Sequence, residues 1–323
     1  MGRVPSSKFK IADERWQAFG VKSFDEYESK YIINGRFHAS VPDDVKKAYE
    51  TAEYIMAQAY YHYPLLDEAS NKLLRILEMA IKKRCIEIGI GLKFINKKGK
   101  EQKKDLNRLI NELVKKENEK KLSRHLHVAR ELRNYSMHPE ENSLHGILAM
   151  NIYEQMVNLI NELFLSESYF KEKSDRLKDI EEASIDFKNG LFVLNIYDNS
   201  FLVQGAKPIS VDMVDKRWIS YWIAHPVLKN FKKLVREKAL DPPFFFALRE
   251  FSIGKENHLQ GKLMNDSCLS INTTNDERNI EVYNQFLEEQ NQMPIELMEP
   301  YRAFINTKMG SELMRFRYLN CWK

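Results

Sequence analysis

The chain has 323 residues, room for two domains with ample core, and 30% of them are charged, with a net charge of only +4. No apolar run reaches the roughly 18 residues of a membrane span, and Met1 to Lys10 lack an apolar signal core, so a soluble cytoplasmic protein without export or membrane anchoring is expected. Cys85, Cys268 and Cys321 stand far apart and make no ligand spacing; they read as reduced thiols, and neither a metal nor another cofactor is expected.

Residues 1–42 form a polar N-terminal segment anchored by Trp16, Phe19, Phe24 and Tyr27, with a short helix over 23–31 and a turn at Asn34-Gly35. From Pro42 the pattern turns helical. Asp43 and Asp44 place negative charge in the first turn of a helix that runs to about Tyr61. A second helix follows over 65–88, with Leu73, Leu77, Ala80, Ile81 and Ile88 on one face and Gly89 and Gly91 as its stop. Glu78 lies on it among apolar neighbours, either as a surface carboxylate or as a partner that orients a cation. Residues 93–104 are a basic loop with Lys97, Lys98 and Lys100. Leu106, Leu109, Ile110, Leu113 and Val114 mark the core face of a third helix. After a charged break, a fourth carries Leu122, Leu126, Ala129 and Leu132 inward. His125 and His127 point to different faces of that helix and are poor joint metal ligands.

That helix delivers the stretch Glu131-Leu-Arg-Asn-Tyr-Ser-Met-His-Pro139. Pro139 disfavours the α conformation in the residue before it, so the helix should end near His138. Arg133 then stands in its last turn, with Asn134 beside it. A permanent cation next to a group that titrates near neutrality suits work on a phosphodiester. The spacing alone is a weak signal, and the bland reading is a helix end where His138 caps carbonyls and Arg133 pairs with a carboxylate. Residues 72–133 hold 19 basic and 8 acidic side chains; they read as a solvated face or as an electrostatic footprint for RNA, with Arg130 among the candidate contacts. A fifth helix over 144–165 carries Leu148, Ile152, Met156, Leu159 and Leu163, widened by Ile147 and Ile160. That breadth allows packing on a neighbouring helix and on a partner chain.

Five helices with Arg133-Asn134-Tyr135-Ser136-Met137-His138 between the fourth and fifth resemble a HEPN domain (higher eukaryotes and prokaryotes nucleotide-binding). Ribonuclease members of that family carry Arg-x(4–6)-His, often with a polar residue after the arginine, and the Leu74 to Lys83 helix also resembles the family's earlier helix. The resemblance covers roughly residues 43–166. It implies metal-independent cleavage of RNA, with His138 as general acid or base, Arg133 stabilising charge on phosphorus and Asn134 binding the phosphate or orienting the pair. It also implies a cleft composed across a homodimer, and a defence or toxin role against cellular RNA such as tRNA or mRNA. The other expectation that fits the same residues is a non-catalytic HEPN-like module that binds RNA or nucleotide, or serves as a scaffold. Lys97, Lys98, Lys100, Arg130 and Glu78 are the weaker substrate-site candidates.

Residues 169–185 are a charged linker or the start of a connecting helix. Beyond them a hairpin is expected from 191–197 and 201–204 around Asp198-Asn199-Ser200, and a further strand at 208–213. A helix is expected over 216–239, bent or divided by Pro226, with Trp218 and Trp222 as buried contacts. Asp241 to Leu248 starts another packed element, 257–279 reads as loop, helices follow around 280–290 and 300–305, and 314–318 ends as a strand. His225 reads as structural. The fold class expected is mainly α, a HEPN-like helical bundle (43–168) followed by a smaller α+β accessory domain (186–323), which would bind a trigger ligand or regulatory partner.

Overall fold

The computed structural model describes residues 10–117, 120–136, 146, 150–254 and 258–322. The chain divides into two compact units, one reaching to Glu167 and joined by Trp322, the other Ser168–Cys321. Among the described residues no helix is long and apolar enough to cross a membrane.

The first unit is helical. A single turn, α1 (Arg15–Ala18), precedes α2 (Phe24–Tyr31). Ser23 caps α2 by accepting the Glu26 N–H, one of the donors a helix start leaves open, while the Glu26 carboxylate takes the N–H of Lys22 just before the cap. Trp16 donates to the Ala59 carbonyl and the Tyr27 hydroxyl to that of Met56, so the N-terminal aromatics are packed onto the bundle, as core. In α3 (Asp43–Gln58), Val45, Tyr49, Ala52 and Met56 form the buried stripe. The 23-residue helix α4 (Leu65–Glu87) is the centre of the unit and packs against α3 and each later helix. It ends in a paired turn: the N–H of Gly89 bonds to Ile86 and that of Ile90 to Cys85. Gly89 sits at φ +73°, the left-handed conformation this helix stop requires.

Residues 93–104 are not a loop. They form a two-stranded antiparallel hairpin, β1 (Lys93–Ile95) and β2 (Glu101–Lys103). Helix α5 (Leu106–Glu117) buries Leu109, Ile110 and Leu113, and α6 (Lys120–Ser136) buries Leu122, Leu126 and Ala129. In α7 (Met150–Leu163) every residue from Met156 to Ile160, and Asn161 after it, is buried. Asn161 donates to the Arg36 carbonyl and accepts from the backbone of His38, whose ring Nε2 meets the Asn161 carbonyl at 2.9 Å. Trp322 donates to buried Asn158. The breadth of α7 over these residues is therefore used up inside the chain; Ile147 and Leu148 lie outside the described residues.

The second unit corrects the expected fold class. It is not a smaller α+β domain after a mainly helical one; its centre is a closed, all-antiparallel barrel of six strands in sequence order. Helix α8 (Glu167–Ala183) and a 3-10 turn (Ile185–Phe187) lead into β3 (Phe192–Ile196), β4 (Asn199–Val214), β5 (Arg217–Pro226), β6 (Phe244–Gly254), β7 (His258–Leu263) and β8 (Cys268–Thr273), and β8 pairs back onto β3. The helix expected over 216–239 is strand β5 followed only by the short α9 (Phe231–Glu237). Trp222 and Ala224 fill the barrel, while Ile219 and Tyr221 face outward against Phe316. A strand buried on both faces has no polar alternation, so its apolar run imitates a buried helix. Within the stretch 257–279 expected as loop, His258–Leu263 and Cys268–Thr273 are strands, Glu277 onward belongs to α10 (Glu277–Asn291), and residue 257 lies outside the described residues. The expected strand at 314–318 is instead the last part of α11 (Ile295–Asn320), which follows α10 (Glu277–Asn291).

Two-residue turns drive the meander. Tyr197-Asp198 and Asp215-Lys216 all have positive φ, the mirror-image turn that matches strand twist. The barrel interior is filled by side chains, and Phe187 from the 3-10 turn belongs to that core.

Candidate functional site

On α4, Glu78 and Lys82 are one turn apart and share a face. Helix α6 packs against α4, and this brings Arg133 onto Glu78. One terminal nitrogen of Arg133, Nη2, lies 3.2 Å from Glu78 Oε2. The other, Nη1, donates to Asn134 Oδ1 at 3.3 Å. The Lys82 ammonium takes the second oxygen of Glu78. Burial by itself would raise the pKa of Glu78, but Lys82 and Arg133 outweigh it and hold the carboxyl below the usual range. Glu78 is thus ionised at neutral pH, an acceptor that orients Arg133 and not a proton donor.

Two donors on α6 have no partner among the described residues. The Nε atoms of Arg133 and Arg130 are buried without a hydrogen-bond partner among the described residues. A buried donor left open costs about 1–3 kcal/mol, so such atoms are rare in folded chains. Among the described residues the Arg130 guanidinium otherwise meets only the Glu131 carboxylate, at 3.4 Å. Asn134 is exposed. The arrangement offers two guanidinium groups three residues apart on the last turns of α6, one of them fixed by a carboxylate.

Arg133, Asn134 and Glu78 are thus brought together by the α4–α6 packing, and Arg130 stands on the same helix. His138 lies outside the described residues. Lys97, Lys98 and Lys100 are exposed at the turn of the β1–β2 hairpin, on neither α4 nor α6. His127 pairs with Asn111 at 3.2 Å and His125 is exposed. Among the described residues no three His, Cys, Asp or Glu side chains are grouped to hold a metal ion. Sequence reasoning missed Lys82, although its signal was present: Glu78 and Lys82 have the i, i+4 spacing, with the acid N-terminal, that favours pairing on a helix. Comparison with family models, with curated proteins and with solved structures finds no match to this chain.

Proposed function

We propose that the protein is a metal-independent endoribonuclease of HEPN type, acting on cellular RNA such as tRNA or mRNA in a defence or toxin role. Its cleft would be shared between two copies of the chain. The observation that carries this reading is the pinned Arg133: a guanidinium held by ionised Glu78, its Nε without a partner among the described residues, on the helix that precedes His138 in the sequence. Metal independence, the dimer and the biological role come from the resemblance of the Arg133–His138 motif alone.

In this mechanism His138 of one copy takes the proton of the ribose 2′-hydroxyl, and the 2′-oxygen attacks phosphorus. The bond from phosphorus to the 5′-oxygen breaks, and His138 of the second copy returns a proton to that leaving oxygen. The products are a 2′,3′-cyclic phosphate and a 5′-hydroxyl. Arg133 supplies its guanidinium donors and its charge to the non-bridging oxygens, where negative charge builds up in the transition state. In this reading Asn134 bonds the same phosphate or orients the pair. A second reading, gripping RNA or nucleotide without turnover, uses the same donors and draws on the Glu78 pairing, which offsets part of the charge of Arg133.

The test is incubation of purified protein with total RNA and a tRNA pool in excess EDTA, beside Arg133→Ala and His138→Ala. Cleavage to cyclic phosphate ends is expected in the wild type, with each variant slower by about 10²–10⁴-fold. Variants that cut as fast as the wild type would sink the catalytic reading, and tight binding without cleavage would favour the second one.

A further inference from the structure

The β1–β2 hairpin has a distribution of charge that its packing does not explain. Residues 92–104 contain six lysines and one glutamate. Those at the base are neutralised and anchored: Lys93 pairs with Glu101 at 2.7 Å and Lys104 with Glu112 at 2.5 Å. Arg108 of α5 lies 3.9 Å over the ring of Phe94 and fixes the inner face of the hairpin to the bundle. Lys97, Lys98, Lys100 and Lys103 are exposed, and none has an acidic partner among the described residues. Four like charges thus stand within seven residues, and the one acid among them, Glu101, is turned to Lys93.

The tip is also tied together by hydrogen bonds. Asn96 Oδ1 accepts the N–H groups of Lys98 and Lys100, at 2.9 and 3.0 Å. The N–H of Asn96 bonds to the Lys100 carbonyl and that of Gly99 to the Asn96 carbonyl. These backbone donors are consumed, which leaves the ammonium groups as the means of contact. Point charges without directed backbone donors grip phosphates but do not read bases. Protection of the open edges of a two-stranded sheet would place lysines along the strands. Lys97, Lys98 and Lys100 are in the turn instead, so edge protection accounts for Lys103 at most.

We propose that the β1–β2 hairpin is an RNA-backbone arm, which holds the phosphodiester chain by Lys97, Lys98, Lys100 and Lys103 irrespective of sequence. The inference rests on the ribonuclease reading for its choice of RNA as the polyanion. An anionic lipid surface is the less favoured occupant, because Ile95 is the one large apolar side chain exposed on the hairpin and a single small anchor gives weak insertion.

The test uses the full chain carrying His138→Ala, so that RNA survives, and a fluorescein-labelled 20-nucleotide single-stranded RNA. Binding is followed by anisotropy across a KCl series, with and without Lys97→Gln, Lys98→Gln, Lys100→Gln and Lys103→Gln combined. Each phosphate that is no longer neutralised removes about 0.7 from the slope of log affinity against log salt, so the slope should become shallower by about 3. Affinity at low salt should fall at least about tenfold. Exposed Lys→Gln changes should leave the melting temperature in place, and that is the folding control. An unchanged slope, no RNA binding in the starting protein, or tighter binding to phosphatidylserine vesicles than to RNA would overturn the arm. Cleavage by the wild type with an unchanged slope defeats the arm alone. A reduced slope with no cleavage by the wild type keeps the arm and counts against the nuclease.

Discussion

At the scale of single residues, the site depends on one carboxylate serving two cations. Glu78 holds Lys82 along its own helix and Arg133 across the helix packing. Glu78→Gln keeps the shape and removes the charge, so Arg133 loses the partner that sets its position. In the proposed ribonuclease Glu78 would be a positioning residue, and its loss should lower kcat by up to about 10²-fold with KM little changed. The same substitution should cost roughly 1 kcal/mol or less in stability, because both partners are partly exposed. A kcat equal to that of the wild type would show that Arg133 needs no such support. Arg133→Lys keeps the charge but loses the planar fork, and should not restore cleavage.

At the scale of elements, the barrel is entered through a tight approach of backbones. Gly205 in β4 has φ +129°, and a Cβ there would stand 2.6 Å from the Lys188 carbonyl oxygen and 2.8 Å from that of Phe187. Those oxygens belong to the segment that brings Phe187 into the core, and backbone cannot step aside as a flexible side chain can. The register of β4 shifts between Val203 and Ala206, so the glycine also lies at the bend that lets this strand follow the barrel wall. Gly205→Ala should destabilise the barrel by about 1–3 kcal/mol, read as a lower urea midpoint with an unchanged slope. An unshifted midpoint would mean that the turn is not seated on β4.

At the scale of the whole molecule, the second unit is tied together by a buried charge. Asp212 of β4 is 1% exposed. It accepts from Ser210 at 2.7 Å and from Arg317 of α11 at 3.1 Å, and it pairs with Lys173 of α8. Burial alone would raise its pKa, but Arg317 and Lys173 outweigh that and hold it below the ordinary value. A depressed carboxyl pKa contributes stability that is fully present above the unfolded value, near pH 4, and is lost as pH falls through the folded value. With two compact units, calorimetry should resolve two transitions. Asp212→Ala leaves two cations without their shared partner and should cost about 3–5 kcal/mol. That lowers one transition on the order of 10 °C and leaves the other in place. The acid sensitivity of that transition below about pH 4 should also shrink. If both transitions move together, the units do not unfold separately.

The helices of the first unit were legible because their one-sided stripes, such as Val45, Tyr49, Ala52 and Met56 in α3 or Leu109, Ile110 and Leu113 in α5, record burial at helical period. Arg133, Asn134 and His138 stood out by residue type and spacing. The sequence alone determined these, together with the Gly89 stop and the first strands after residue 191. The tertiary structure decided the rest. That Arg133 meets Glu78 depends on how α6 lies against α4, across 55 residues of chain. The pairing of Asp212 with Lys173 and Arg317 spans 39 and 105 residues and has no local signature. Closure of the barrel depends on β8 returning to β3, and the wall that buries both faces of β5 removed the alternation by which a strand is recognised. Local pattern reports which face of an element is buried, whereas charge pairing and sheet closure are set by the partners the fold brings to it.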